Sequence, residues 1–421
     1  MDLEKRLYEA LIKHIENPRA PKPDVFRLPP VGTVRTTSHG PIWMVETAYD
    51  EGYLHGRVEL GTDLSNSILK IIEPPLFECK YEFKNAAVID TETTGLAGGT
   101  GTYPFIIGIG FWNNRMRQDG SSRHPGASRQ FIVRQYILRD FSEEPAQLSA
   151  FVDDLLKTSC ILTYNGKTFD IPLLRTRFRI NRMEIPFENH SHLDFVHPCR
   201  RIYRRHFDSF NLSLLEEKVL GFERVDDVPG HLIPRIYFDY LQNRNDELLL
   251  PILNHNRNDI ISLYLLVQET WRRIDLALSE ACDDDSLLLS LGHIFFKARD
   301  YERAKNLLSG IKPRFAPHEI LDESILLQSH AAKKTRDWDS AIEIWNRMLK
   351  MGKFGCYPYV ELAKHCEHRL KDYKAALNHT NMAMRYIDFE REFITPAAYK
   401  ILLESLKTRR RRLLKRIDKN W

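Results

Sequence analysis

The sequence predicts an α/β domain built on a mixed sheet, preceded by a small β-rich segment and followed by an all-α domain of helical repeats. Two observations carry this prediction. Between residues 84 and 281, apolar runs of strand length alternate with segments whose apolar residues recur at helical spacing. After residue 281, three similar segments recur at intervals of about 35 residues, which is typical of stacked helical repeats. With 421 residues and 43% hydrophobic content, the chain can bury more than one core, and we divide it into residues 1–83, 84–281 and 282–421.

Charge and cysteine content narrow the class of protein. The net charge of +4 is too small to indicate nucleic-acid binding by itself, so a basic surface would have to come from local clusters. The six cysteines form no C-x-x-C pair, which argues against a zinc ribbon or a disulfide framework and fits a reducing compartment. The first residues, MDLEKRLYEALIKHIENP, are charged throughout, and no apolar run approaches membrane-spanning length. We expect a soluble, cytoplasmic protein without a membrane partner.

The first part of the chain carries a predicted helix and the β-rich segment. Apolar residues at helical intervals predict a helix over residues 3–15, which the prolines that follow would end. Residues 40–49 and 52–60 have the alternating pattern of short strands separated by glycine turns. Their composition indicates no particular chemistry.

The predicted mixed sheet lies in residues 84–281. Its elements are a strand at 86–90, a glycine-rich turn, strands at 105–112 and 130–138, a helix at 144–157, a strand at 160–164 and a helix from residue 171. Strands followed by an alternating helix and strand predict a mixed sheet with helices on its faces.

Two carboxylates end the first strand of this sheet. Asp90 and Glu92 follow four apolar residues, and alternation along a strand places both side chains on one face. Two like charges at the end of a buried strand repel each other unless a cation lies between them, so the pair predicts a metal site. Taken alone the pattern is weak, because a strand that ends in a solvated acidic turn has the same sequence.

Further candidate ligands follow downstream. Asp170 comes after a second apolar run, which breaks at Asn165. Asp259 lies in a segment with helical apolar spacing, and His255 precedes it by four residues, so both side chains project from one face of a helix. Four acids and one histidine are thus candidates for a single site.

The motifs formed by these residues resemble those of a known group of nucleases. D-x-E-T-T-G, N-x-x-x-F-D and H-x-x-x-D are similar, in order and spacing, to the three exonuclease motifs of the DEDD superfamily, whose members have a ribonuclease-H-like fold. A longer resemblance, to the bacterial YprB-like family of predicted ribonuclease-H-like nucleases, covers residues 95–112, 192–205 and 212–241.

The resemblance implies phosphodiester hydrolysis by two metal ions in the 3′-to-5′ direction. The acids that it implies as ligands of two Mg²⁺ or Mn²⁺ ions are Asp90, Glu92, Asp170 and Asp259. His255 would be the general base, since an imidazole titrates near neutral pH. It stands four residues before Asp259, where the tyrosine subgroup has its base, whereas Asn254 stands where the histidine subgroup has its base. A histidine that only packs on this helix is the alternative.

Candidate contacts to nucleic acid are polar residues of the first two motifs and arginines that follow the acids. They are Thr91, Thr93, Asn165, Arg175, Arg201 and Arg205. Arg201 and Arg205 lie one turn apart if that run is helical, which would form a cationic stripe suited to phosphates. A solvated helix face is the alternative interpretation of each arginine.

The repeats of residues 282–421 share an Asp, an aromatic residue, two further residues and an Ala. The alanines Ala304, Ala341 and Ala376 are separated by 37 and 35 positions, and the pattern resembles tetratricopeptide repeats. The third unit carries one extra residue near Leu362. The basic tail, residues 407–420, predicts a terminal helix that is either a solvated cap or a further contact for nucleic acid.

We therefore predict a metal-dependent 3′-5′ exonuclease that acts on a single strand or a 3′ end of DNA or RNA. A structure-specific endonuclease on the same fold is one alternative. The other is a catalytically weak scaffold that uses its repeats to bind nucleic acid or a protein partner. The residues do not distinguish DNA from RNA, and the oligomeric state is left open.

Overall fold

The chain folds into two units, residues 1–276 and 277–421. The structure is a computed structural model that describes residues 32–61, 83–95, 100–113, 129–312 and 316–419. The predicted helix at 3–15 and the centre of the glycine-rich turn lie outside the described residues. The predicted boundaries near residues 83 and 281 stay predictions.

A seven-stranded mixed sheet forms the first unit, and this confirms the predicted fold class. The strands of the sheet are β1 (Thr33–Thr37), β2 (Gly40–Asp50), β5 (Ala86–Thr93), β6 (Pro104–Asn113), β7 (Gln130–Ile137), β8 (Cys160–Thr163) and β9 (Ser191–Asp194), with β3 (Leu54–His55) and β4 (Val58–Glu59) forming a separate hairpin. Their order across the sheet is β1-β2-β7-β6-β5-β8-β9. Neighbours from β1 to β5 in this order are antiparallel, whereas β8 and β9 run parallel to β5.

Helices accompany this sheet and contribute to its core. They are α1 (Glu144–Leu155), α2 (Asp170–Ile180), α3 (Val196–Tyr203), α4 (Leu212–Leu215), α5 (Ile233–Asn243) and α6 (Leu249–Leu278). A π-turn, Glu216–Leu220, follows α4 directly. The core packs β5, β6 and β7 with apolar residues of α1 and α5, and the ring of Phe105 stacks on that of Tyr237.

The β-rich segment at the start of the described chain is part of the main sheet. β2 pairs with β7 from Trp43 opposite Ile137 to Asp50 opposite Gln130, and β1 forms the outer edge beyond it. Only residues 52–60 stand apart, as the hairpin of β3 and β4. The β-rich segment therefore contributes two strands, β1 and β2, to the main sheet.

Helix α6 packs closely on strand β6 because two glycines of that strand face it. A Cβ atom on Gly108 would lie 2.3 Å from Oδ1 of Asn256, and one on Gly110 would lie 2.4 Å from Cγ2 of Ile260. Any larger residue at either position would push the helix away from the sheet. The glycines thus position the helix that carries the third acidic motif.

The second unit is helical throughout its regular elements. Its helices are α7 (Asp285–Lys297), α8 (Tyr301–Ser309), α9 (His318–Thr335), α10 (Trp338–Met351), α11 (Tyr357–His365), α12 (Tyr373–Phe389) and α13 (Pro396–Lys419). None of the helices in the described residues of the chain is long and apolar enough to cross a membrane.

The repeated Asp and Ala of this unit mark the start of the second helix in each pair. Asp300 accepts a hydrogen bond from the N–H three residues later and so caps α8, and Asp337 and Asp372 cap α10 and α12 in the same way. The alanines of the pattern, Ala304, Ala341 and Ala376, are fully buried. A helix pair joined by such a turn is what stacked repeats require, and the specific likeness to tetratricopeptide repeats stays a prediction.

A second π-turn, Cys366–Leu370, ends the first helix of the third pair. A π-turn contains one residue more than an α-helical turn, and this accommodates the extra residue seen in the sequence of that unit. The turn also buries Glu367, which accepts hydrogen bonds from Arg409 and Arg412 of α13. Part of the basic tail is therefore used to hold α13 in place.

Candidate active site

The first two acidic motifs meet at the carboxyl end of strand β5. Asp90 and Glu92 lie on β5, which pairs in parallel with β8. Because parallel neighbours end at the same edge of a sheet, the loop after β8 returns to this edge, and α2 begins there with Asp170 in its first turn. Thr91 Oγ1 donates a hydrogen bond of 2.5 Å to Oδ1 of Asp170, so the two motifs are in direct contact.

Helix α6 supplies the third motif. His255 Nε2 lies 3.7 Å from Oδ2 of Asp259 and 4.0 Å from Oε1 of Glu92, so the helix faces β5 across the acids. Asn256, on the same helix, donates a hydrogen bond of 2.7 Å to Oδ2 of Asp90. The fold thus brings the four candidate acids and the candidate base, which come from three separate segments, into one cluster.

The carboxylates of the cluster carry more negative charge than the neighbouring cationic groups neutralise. Burial raises the pKa of Asp90 well above its ordinary value, and repulsion from Asp259, Glu92 and Asp170 raises it further. Burial also raises the pKa of Glu92 to about 8 and that of Asp170 to about 6. Carboxyl groups of this kind bind protons when no cation is present and release them when one binds.

The donor set fits a hard divalent cation, since it consists of carboxylate oxygens with an excess of negative charge. Among the described residues, however, no three His, Cys, Asp or Glu side chains already stand as ligands of one ion. Groups of the protein hold three of the acids, namely Asn256 on Asp90, Thr91 on Asp170 and a buried arginine on Asp259. A cation would have to share or displace these hydrogen bonds.

That buried arginine is Arg224, whose side chain is 8% exposed. It donates hydrogen bonds of 2.5 and 2.7 Å to both oxygens of Glu216, which is fully buried in the first π-turn. It also donates to Oδ1 of Asp259, and to Oδ2 of Asp227 at 3.0 Å. Arg224, Glu216 and Asp227 are not among the residues predicted from the sequence, although all three lie in the segment 212–241 that resembles the YprB-like family.

The ring nitrogen of His255 that faces away from the acids has a hydrogen-bond partner of its own. Its Nδ1 atom lies 2.7 Å from Oδ1 of Asp227, which leaves Nε2 directed toward Glu92 and Asp259. Burial by itself lowers the pKa of His255, but the hydrogen bond to Asp227 and the charges of Asp259 and Glu92 outweigh burial and raise the pKa to about 9. In the metal-free protein the neighbouring carboxylates therefore dominate the protonation of this ring.

The candidate nucleic-acid contacts of the first two motifs make hydrogen bonds within the protein. Thr91 is bound to Asp170, and Thr93 Oγ1 donates to the carbonyl of Gly95 at 3.0 Å. Asn165 has a φ of 64°, and its N–H donates at 2.6 Å to Asp194, which is buried. The side chain of Asp194 thereby orders the turn of the second motif. The role of these residues toward nucleic acid stays a prediction.

The candidate arginines differ in exposure and in helical position. Arg175 on α2 and Arg201 on α3 are exposed, whereas Arg177 of the same cluster is buried and donates to Glu144 and to the carbonyl of Thr100. Helix α3 ends at Tyr203, so Arg205 lies beyond it. The predicted cationic stripe requires Arg201 and Arg205 to lie on one helix. The described residues therefore contain no such stripe.

Comparison with known proteins agrees with this geometry. Residues 87–271 match the sequence profile of the RNase_H superfamily. The chain is also 31% identical over 301 residues to the uncharacterized protein YprB of Bacillus subtilis (strain 168), a match that covers 70% of this chain and 68% of that protein. The residues matched by the RNase_H superfamily profile, 87–271, include all of the acids in the cluster.

Proposed function

Because this chain belongs to the YprB family and carries a domain of the RNase_H superfamily, we propose that it is a metal-dependent 3′-5′ exonuclease of DNA or RNA. The observation that carries the proposal is the half-buried cluster at the end of β5, where four acids from three segments have too little positive charge around them. Divalent cations bound to such a cluster relieve the repulsion between its carboxylates. The same cations attract the negatively charged oxygens of a phosphodiester, which makes a phosphodiester a suitable substrate.

The residues that would hold two Mg²⁺ or Mn²⁺ ions are Asp90, Glu92, Asp170 and Asp259. When bound, such ions lower the pKa of water and offset the charge of the attacked phosphate and the leaving 3′ oxygen. Asn256 and Thr91 fix the carboxylates of Asp90 and Asp170 before any ligand arrives. Preorganised carboxylates of this kind avoid a cost of ordering when the substrate binds.

His255 is the residue that would accept a proton from the attacking water. Its Nε2 atom is the ring nitrogen that faces the acids, and Nδ1 is engaged by Asp227. A base has to lie within reach of the water that it activates, and the position of Nε2 beside Glu92 and Asp259 meets this requirement. Phosphates of the strand would be bound by exposed arginines, of which Arg175 on α2 and Arg201 on α3 are the candidates.

The helical repeats of the second unit would recruit the substrate or a protein partner. Helix α13 presents exposed cations on the side that does not bind Glu367, among them Arg410, Arg411 and Lys415. Three exposed cations within two turns of a helix are suited to the phosphates of a nucleic acid.

The test is cleavage of 5′-labelled single- and double-stranded oligonucleotides of DNA and RNA, with Mg²⁺, with Mn²⁺ and with EDTA. We expect a ladder that shortens from the 3′ end only when a metal is added, and no ladder with Asp90→Asn. The matched control is Asp208→Asn, which removes an exposed carboxylate of the same unit. Internal fragments would instead indicate an endonuclease, and the absence of cleavage from every substrate would leave the scaffold alternative.

A further inference from the structure

A second layer of charged residues lies behind the acids and the candidate base. It consists of Glu216, Arg224 and Asp227, which come from the π-turn after α4 and the loop that follows it. Arg224 is the centre of this layer, since it contacts Glu216, Asp227 and Asp259 through hydrogen bonds. Of the three, Asp227 is the one that contacts the ring of His255 most closely.

We propose that Asp227, held by Arg224, is a positioning residue that keeps a proton on Nδ1 of His255 and so leaves the lone pair of Nε2 facing Glu92 and Asp259. An ionised carboxylate can only accept a hydrogen bond, so a distance of 2.7 Å between Nδ1 and Oδ1 requires that Nδ1 carry the proton. In a neutral ring the other nitrogen is then the acceptor.

A second possible partner of Nδ1 is the guanidinium of Arg224. Its Nη1 atom lies 3.2 Å from Nδ1, and a hydrogen bond from Nη1 to Nδ1 would require the opposite tautomer. Nη1 has two hydrogens, so its hydrogen bond of 3.0 Å to Oδ2 of Asp227 does not by itself prevent a second one to Nδ1. However, Oδ1 of Asp227 is 0.5 Å closer to Nδ1 than Nη1 is, and an ionised carboxylate needs a donor. We therefore assign the proton on Nδ1 to the hydrogen bond with Asp227.

Arg224 prevents Asp227 from turning away from the ring. Its guanidinium is anchored by two hydrogen bonds to Glu216, which is fully buried and so cannot exchange them for water. With Oδ2 of Asp227 on Arg224, only Oδ1 is available to His255. Removing the group that orients a metal-bound histidine through its second nitrogen typically changes activity by roughly 10- to 100-fold, and we expect a similar effect on a histidine that acts as a base.

The decisive comparison is between Asp227→Asn and Asp227→Ala. In Asp227→Asn the amide oxygen would face the donor on Arg224, so the amide NH₂ would face Nδ1 and force the proton onto Nε2. We expect Asp227→Asn to lower kcat by at least roughly 10-fold, at least as much as Asp227→Ala does, with little change in KM. If Asp227 only fills space, the isosteric Asn variant is the milder of the two, and the proposal is wrong.

Two further variants make the activity test specific. Asp226→Asn makes the same chemical change at the neighbouring, exposed residue, and we expect it to retain the activity of the natural chain. Because Asp227 acts through His255, adding Asp227→Asn to His255→Ala should cause no further loss. An additional loss equal to that of the single Asp227→Asn change would overturn the proposal.

The consequence for kcat rests on the proposed nuclease function, but the position of the proton can be measured without cleavage. In full-length protein labelled with ¹⁵N-histidine and free of metal, the ¹⁵N shifts of the His255 ring show which nitrogen carries the proton when the ring is neutral. We expect Nδ1 in the natural chain and Nε2 in Asp227→Asn. A proton on Nε2 in the natural chain, or no change in the variant, would refute the proposal whether or not the protein cleaves nucleic acid.

Discussion

Replacing Glu92 with Gln should stabilise the metal-free protein at high pH. Glu92 is 9% exposed, and burial together with Asp259 and Asp170 raises its pKa to about 8 from an ordinary value of 4.5. The folded state therefore binds a proton more tightly than the unfolded state does. The stability associated with this group is complete below pH 4.5 and is lost as the pH rises toward 8. Glutamine is uncharged at every pH, so the stability of the Glu92→Gln variant does not fall through ionisation at this position.

The magnitude follows from the gap between the two pKa values. A gap of about 3.5 pH units, at about 1.4 kcal/mol for each, sets an upper limit of about 5 kcal/mol on the gain above pH 8. Entry of water and relaxation of the site reduce such values, so we expect a gain of about 1 to 3 kcal/mol at pH 9. Near pH 4.5 the gain should be close to zero.

Thermal unfolding in EDTA at pH 5 and pH 9 measures this difference. The chain has two units, so the relevant transition is the one whose midpoint Mn²⁺ raises in the natural chain. The control is Glu188→Gln, which neutralises an exposed carboxylate of the same unit. A midpoint for Glu92→Gln that is not raised at pH 9, or that is raised equally at both pH values, would refute the account of repulsion in the cluster.

Three further changes have distinct expected outcomes. His255→Ala should lower metal-dependent cleavage by roughly 100-fold or more, whereas Asn254→Ala, at an exposed position, should leave it nearly unchanged; the reverse order in a cleavage assay would exclude His255 as the base. Gly108→Ala should cost roughly 1 to 3 kcal/mol in urea unfolding because its Cβ would overlap a buried amide, and Gly230→Ala, with open space around it, should not. Glu367→Ala should lower the unfolding free energy of the second unit by roughly 1 to 3 kcal/mol, because two arginines lose a buried hydrogen-bond partner; an unchanged unfolding midpoint would contradict this.

The repeats show what local sequence can determine. The Asp and Ala of each unit act within one turn of the chain, as a cap and as a buried contact, so a short pattern is enough to place the start of α8, α10 and α12. The β-rich segment shows the opposite case. Residues 40–49 have the pattern of a strand, but nothing in them indicates that β2 pairs with β7, which lies about 90 residues later. Pairing between distant strands depends on the whole sheet.

The same contrast between local sequence and long-range contacts applies to the candidate site. Asp90, Glu92, Asp170, His255 and Asp259 could be selected from the sequence because together they form three short motifs whose order and spacing resemble those of the DEDD superfamily, whereas an acidic pair after an apolar run is a weak signal by itself. Their meeting at one edge of the sheet follows from the parallel pairing of β5 with β8 and from the close packing of α6 on β6.

The sequence by itself predicted a metal site and determined which acids and which histidine are its candidates, since these predictions depend on side-chain chemistry, short spacing and motif resemblance. Only the tertiary structure decided which protein groups hold them. Asn256 reaches Asp90 across 166 residues, and Arg224 and Asp227 reach Asp259 and His255 from a loop with no regular pattern. Hydrogen bonds of this kind join residues that are distant in the chain, and a single arginine or aspartate in a polar loop has the same local sequence whether it points to solvent or into the site.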